Sequence, residues 1–231
     1  MISVRRHLEK LRKVKRHHYH PLIHRIHRKH KISRKTLFYV KEYGPHSNVP
    51  RTIIKESLKI LLFASILSSV GGLALEQIRV LFVSIIPLVI LLPVLNGMIG
   101  GYGTIVSSRF SAMLHEGRVR GAWWKNQQLK KLFVQLFVIA VIMTLLSVGV
   151  AVSISTAARY ALTIDLIGKI AFIALLDVLV LVAILFLTSI TAGLYFYRKG
   201  EDPNNFLIPI TTSIADFGNM IVLTVLVILV F

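Results

Sequence analysis

Five stretches of this chain run without charge, or with a single charge, over lengths that match a bilayer. They are Ile60–Leu75, extended at its start by Ser57 to Lys59; Val80–Ser108; Leu132–Ala158; Ile170–Tyr197, interrupted by Asp177; and Asn204–Phe231, interrupted by Asp216. A spanning α-helix needs about 20 predominantly apolar residues, fewer if a flanking lysine such as Lys59 reaches back to the interface. The pattern predicts an all-α, polytopic membrane protein with five transmembrane helices. The second stretch contains Pro87 and Pro93 and then Gly97, Gly100, Gly101 and Gly103, which predict a broken or irregular helix there.

Charge in the connections sets an orientation. Arg109, Arg118, Arg120, Lys125, Lys130 and Lys131 stand against Glu116 in the second connection, and Arg198-Lys199 lie in the fourth. Basic residues in short loops stay cytoplasmic. One topology satisfies all loops, with the N-terminus inside and the C-terminus outside. Trp123 and Trp124 then fall at the cytoplasmic interface, where indole rings anchor helices.

Composition sharpens the picture. The 231 residues are 55% hydrophobic yet carry a formal net charge of +18. The first 56 residues hold 16 Lys/Arg, 3 Glu and 8 of the 9 His, so the chain divides into a basic, His-rich arm (1–56) and a membrane domain (57–231). The division excludes a simple soluble enzyme, and the absence of cysteine excludes disulfides, thiol catalysis and thiolate metal sites. The arm has no apolar core of the kind a signal peptide needs, and is expected to belong to the mature protein. Within it, His20-Pro21 opens a predicted helix in which Leu22, Ile23 and Ile26 share one side. His20, His24 and His27 have a spacing that could hold a metal through imidazoles, but without a nearby carboxylate or thiol a lipid-facing basic surface explains them more simply. Anionic lipid headgroups are the expected partner of the arm; no nucleic-acid motif accompanies its charge.

Candidate chemistry rests on the rare acids at bilayer depth. An ionisable side chain there costs roughly 2.5 to 3.5 kcal/mol on insertion scales and is a functional candidate by default. Asp202-Pro203 suits the start of a helix on which Ile208, Thr212 and Asp216 recur every four residues, with Asn219 extending the stripe and Thr211 and Ser213 flanking it. A carboxylate among hydroxyls and an amide has the ligand chemistry of a hard cation. A hydrogen-bonded cluster that only packs the bundle explains the same residues. The stretch from Asn96 and Gly97 through Gly100 could present unpaired carbonyls to an ion, or let helices approach closely. Asp177 could be a second ion site, a proton-coupling group or a residue paired with a polar neighbour. Glu76 and Asp202 sit at membrane boundaries, where solvated end charges are expected, although both could recruit cations.

Two motifs carry a resemblance. Asp202-Pro203 with Ile208-Pro209-Ile-Thr-Thr-Ser-Ile-Ala-Asp216 resembles the last-helix signature of the MgtE-type magnesium transporter membrane domain, and Pro93-x-x-x-Gly97-x-x-Gly100 leading to Ser108-Arg109-x-Ser111 resembles its second-helix signature as found in the eukaryotic solute-carrier relatives. The likeness covers about residues 57 to 231. It implies a homodimer at the cell membrane whose ion path lies between subunits, lined by the second and fifth helices. Asp216 is then the selecting carboxylate, Thr212 lies one turn before it, and Ser213, Asn96, Gly97 and Gly100 complete the expected metal path, with Asp177, Asn219 and Asp202 as further candidates. Ile208 stands where family members often have a polar residue. The bacterial members' acidic sensing domains have no counterpart in the basic arm, and regulation by that route is expected to be absent. The expected function is transport of a divalent cation, Mg²⁺ above others, with Mg²⁺ as the transported ion, no organic cofactor and no enzymatic activity. The rivals are a membrane-embedded metal-dependent enzyme and a non-transporting anchor that acts through its arm.

Overall fold

A computed structural model describes residue 28 and residues 49–119, 123–199 and 202–231. The arm's predicted helix at His20-Pro21 and its histidines lie outside the described residues. The helices are α1 (Val49–Gln77), α2 (Arg79–Ser84), α3 (Ile86–His115), α4 (Gln127–Ala157), α5 (Ile164–Lys199) and α6 (Pro203–Val230), with a short 3₁₀ turn at Trp123–Lys125. Five of these, all but α2, are long and apolar enough to cross a membrane, and among the described residues there is no strand. The protein is an all-helical, multi-pass membrane protein. Helix α1 starts at Val49, upstream of the expected junction at residue 57.

Local sequence explains where the helices start. Asn126 caps α4, its Oδ1 accepting from the amides of Gln128 at 2.9 Å and Leu129 at 3.3 Å, while its Nδ2 donates to the Arg118 carbonyl at 3.0 Å. Asp202 caps α6 by accepting from the Asn204 amide at 3.0 Å, with Pro203 in the first turn.

The second apolar stretch is broken, as expected, but near its start. Its break falls at Ile85, between α2 and α3, ahead of the glycines, and Pro87 occupies the first turn of α3. From there α3 continues through Pro93, Gly97, Gly100, Gly101 and Gly103 to His115. The irregular backbone expected from Pro93 to Thr104, with unpaired carbonyls, does not form. Glycine costs about 1 kcal/mol per residue in a helix measured in water. In hydrocarbon each backbone group left unpaired costs several kcal/mol, so the helix is the cheaper state.

Helix α6 is the hub, packing against α1, α3 and α5; α5 also packs on α3 and α4, and α3 on α4. Helix α1 has its principal contact with α6. Leu95, Ile99, Phe110, Ile170, Ile173, Leu181 and Leu185 fill the core. The outward faces are equally apolar, as at Leu62, Phe63, Ile66 and Val70 of α1 and Val138, Ile142, Leu146 and Val150 of α4, which suits lipid. Apolar burial therefore gives these helices little reason to associate, and close packing and hydroxyl contacts must hold them. Ser107 of α3 is such a contact, with its Oγ 3.4 Å from Ser189 Oγ of α5 and 3.2 Å from Thr211 Oγ1 of α6. Asp177 on α5 is fully buried, and among the described residues neither carboxylate oxygen has a hydrogen-bond partner.

Helices α3, α5 and α6 meet at Gly193, where an added Cβ would lie 2.8 Å from the Phe110 ring and 3.1 Å from Leu207. Gly149 on α4 has nothing within 4 Å of that position. Gly193→Ala is expected to destabilise the protein by about 1–3 kcal/mol, the usual cost of overpacking, and Gly149→Ala to leave it unchanged, as measured by thermal unfolding in detergent micelles.

Candidate functional site

The site is assembled from α1 and α6. Ser65, Ser68 and Ser69 lie on one face of α1 at helical spacing, and Ile208, Pro209, Thr212, Ser213 and Asp216 lie on the facing side of α6. Together with Leu61 and Ala64 they enclose a cleft of about 600 Å³. Asp216 is partly buried, and its Oδ2 accepts from Ser68 Oγ at 3.4 Å. One turn further along α1, Gly71 allows the two helices to touch. A Cβ there would sit 3.1 Å from the Phe217 Cα and 3.1 Å from the Met220 sulfur, so a larger residue would push α1 off α6.

The hydroxyls are oriented by their own helices. Thr212 Oγ1 donates to the Ile208 carbonyl at 2.8 Å, Ser213 Oγ to the Pro209 carbonyl at 2.6 Å, and Ser69 Oγ to the Ser65 carbonyl at 2.8 Å. With each proton directed at the preceding turn, the oxygen lone pairs remain to accept. The cleft therefore offers one carboxylate and several hydroxyl oxygens, a donor set for a hard cation or its water shell.

The remaining predicted residues are arranged around this cleft in different ways. Asn96 of α3 pairs with Asn219 of α6 through a short Nδ2–Oδ1 contact rather than reaching Asp216. At the other end of the same two helices, Ser108 Oγ donates to Asn204 Oδ1 at 3.4 Å. These two contacts hold the α6 stripe alongside α3. Between them the outer face of α3, with Gly97, Gly101 and Ser108, is exposed, and a Cβ added at Gly97, Gly100 or Gly101 would meet nothing within 4 Å. Thr104 on this face gives its proton to the Gly100 carbonyl at 3.0 Å.

Asp177 does not line the cleft. Asp202 lies at the α6 terminus with its side chain only 7% exposed, 3.5 Å from His115 Nε2. The expectation of a solvated end charge holds for Glu76, 61% exposed and 3.3 Å from Arg79, but not for Asp202, which is buried and whose Oδ1 meets both the Asn204 amide of the helix cap and His115. The sequence reading missed Ser65, Ser68 and Ser69. Their i, i+3, i+4 spacing was available as a signal.

The sequence comparisons bear on this arrangement. The MgtE family, described as a divalent cation transporter, matches residues 92–226, more than half of the chain and all of the polar α3–α6 seam. The chain belongs to the MgtE family. Solute carrier family 41 member 2 of Homo sapiens is 27% identical over 179 residues, a match that covers 72% of this chain and 30% of the relative. The proteins of the same name from Macaca fascicularis and Gallus gallus match to the same extent. The chain thus spans less than a third of the length of these curated relatives. No solved structure matches it.

Because the chain has no cysteine, single thiols report directly on this geometry. Thr212→Cys and Ser68→Cys are expected to react with a membrane-impermeant methanethiosulfonate reagent. Ser189→Cys, at a fully buried position, is expected to remain unlabelled. Equal protection of all three would show that water does not enter the cleft.

Proposed function

We propose that this protein transports a divalent cation, Mg²⁺ above others, across the cell membrane as a homodimer, with the ion path between the two copies lined by α3 and α6 and Asp216 as the selecting carboxylate. The observation that carries this reading is a carboxylate at bilayer depth that faces a cleft lined with hydroxyl oxygens and has a single serine hydroxyl on it. Placing that charge in the membrane is costly, and one long bond from Ser68 offsets little of the cost. A cation in the cleft would offset far more. Membership of the MgtE family supports the same ion class.

Helix α3 supports the proposed dimer. Gly97, Gly100 and Gly101 give an outer face that a second helix can approach closely, and the two asparagine contacts fix the Asp216 stripe beside it. A two-fold axis there would bring two copies of Asp216 to one path. Mg²⁺ sheds its water reluctantly, so a wide site of two carboxylates with hydroxyls around the water shell suits it better than a tight protein cage. Ser65, Ser68 and Ser69 of α1 then belong to the path as well. A membrane potential of 100 mV supplies about 4.6 kcal/mol for a divalent ion, enough to drive entry without a nucleotide. With N-terminus inside, the basic arm lies in the cytoplasm and meets anionic headgroups there.

The membrane-enzyme reading needs several carboxylates gathered at one membrane face. Asp177 stands outside the Asp216 cleft and Asp202 is engaged by His115, so these acids do not form such a cluster.

Purified protein in liposomes is expected to take up Mg²⁺, and Asp216→Ala to lower the flux at least tenfold, the loss of one charge-assisted contact per subunit. Flux that persists in the variant would remove Asp216 from the path. Absence of flux for every divalent ion tested would remove the function.

A further inference from the structure

Away from the Asp216 cleft, the second half of α3 and the first half of α4 enclose a groove of about 1050 Å³ open to the side of the bundle. Its two ends differ in chemistry. Arg109, Arg118, Gln128 and Lys131 stand at the mouth, beside the α3–α4 connection, while Ile105, Val138 and Ile139 form walls deeper in. By the helical rise, Lys131 and Ile139 are about 12 Å apart along α4, with Gln135 between them, so a charged mouth leads past one amide to mostly apolar walls. Arg109, Lys131 and Gln128 are exposed, as are Val138 and Ile139.

The charge at the mouth is unbalanced. Glu116 is its one acid and is held by Arg118, with Arg118 Nε 2.6 Å from Glu116 Oε2. Among the described residues no carboxylate pairs with Arg109 or Lys131. Two cations therefore face a groove whose inner walls are mostly apolar, at the end of the helices where lipid headgroups are expected. The complementary occupant carries a negative phosphate at one end and an alkyl chain at the other.

We propose that this groove binds one anionic phospholipid of the inner leaflet, its phosphate between Arg109 and Lys131 and an acyl chain along Ile105, Val138 and Ile139. The site rests on the cytoplasmic placement of the α3–α4 connection and not on the role of Asp216. It differs from attraction of the basic arm to the membrane surface, because the groove requires an acyl chain as well as charge. A lipid seated here would brace α3 against α4 on the flank opposite the α5 contacts, steadying the helix that carries the proposed dimer face.

The test uses the full-length protein in detergent, titrated with dioleoyl phosphatidylglycerol or dioleoyl phosphatidylcholine and read by native mass spectrometry. Wild type is expected to retain phosphatidylglycerol in preference to phosphatidylcholine. Arg109→Gln with Lys131→Gln should reduce phosphatidylglycerol retention at least tenfold, each lysine or arginine near a bilayer being worth roughly a fivefold change in binding. Val138→Trp, which fills the apolar wall and leaves both bases in place, should reduce retention of both lipids. Asp216→Ala should retain phosphatidylglycerol as wild type does, which separates failure of this proposal from failure of the transport reading. Unchanged retention in the double variant would overturn the site, as would unchanged retention with Val138→Trp, which would leave only surface charge. Loss of the dimer in the same spectra with lipid retention intact would show that the groove is covered by a second copy of the chain.

Discussion

The carboxylate of Asp216 cannot be solvated by lipid, and the arrangement of α1 around α6 answers that constraint. Helix α1 buries little of itself, makes its principal contact with α6, and lines the cleft beside the carboxylate with three serines, one of which, Ser68, bonds to it. Gly71 permits the approach, and Ser68 supplies the hydrogen bond. A bundle built only for stability would place leucine at 216 and lose nothing in packing. The polar cleft is thus a cost the fold carries, and a costly ionisable group at bilayer depth is a functional candidate by default.

The other side of α6 is held by contacts of the opposite sort, small residues and hydroxyl groups packed closely together. Ser107 joins Ser189 and Thr211 across three helices, and Gly193 lets Phe110 and Leu207 close over α5. In a membrane such contacts replace apolar burial as the source of association, because the outer faces of α1 and α4 are as apolar as the core. Helix α6 therefore has one face closely packed on α3 and α5, and one toward α1 that carries the polar cleft.

Much of this could be read from the sequence because the bilayer imposes a simple grammar. The five spans follow from run length, and the start of α6 follows from Asp202-Pro203, since cap chemistry is local. The prediction for the glycines of α3 failed because it carried over helix propensities from water, where a broken helix can be hydrated. The α1 serines were overlooked for a different reason. Neutral hydroxyls do not stand out in an apolar run, and nothing in the sequence says that the first helix lies against the last. The burial of Asp202 depends on His115, whose proximity only the fold creates.

Asp177 is the acid that this account leaves outside the path, fully buried and, among the described residues, without a hydrogen-bond partner. Two carboxylates at bilayer depth in one chain permit a direct comparison by infrared difference spectroscopy of the reconstituted protein on addition of Mg²⁺. The account predicts a shift of a carboxylate stretching band that persists in Asp177→Asn and vanishes in Asp216→Asn. A shift that survives in Asp216→Asn and is lost in Asp177→Asn would contradict it.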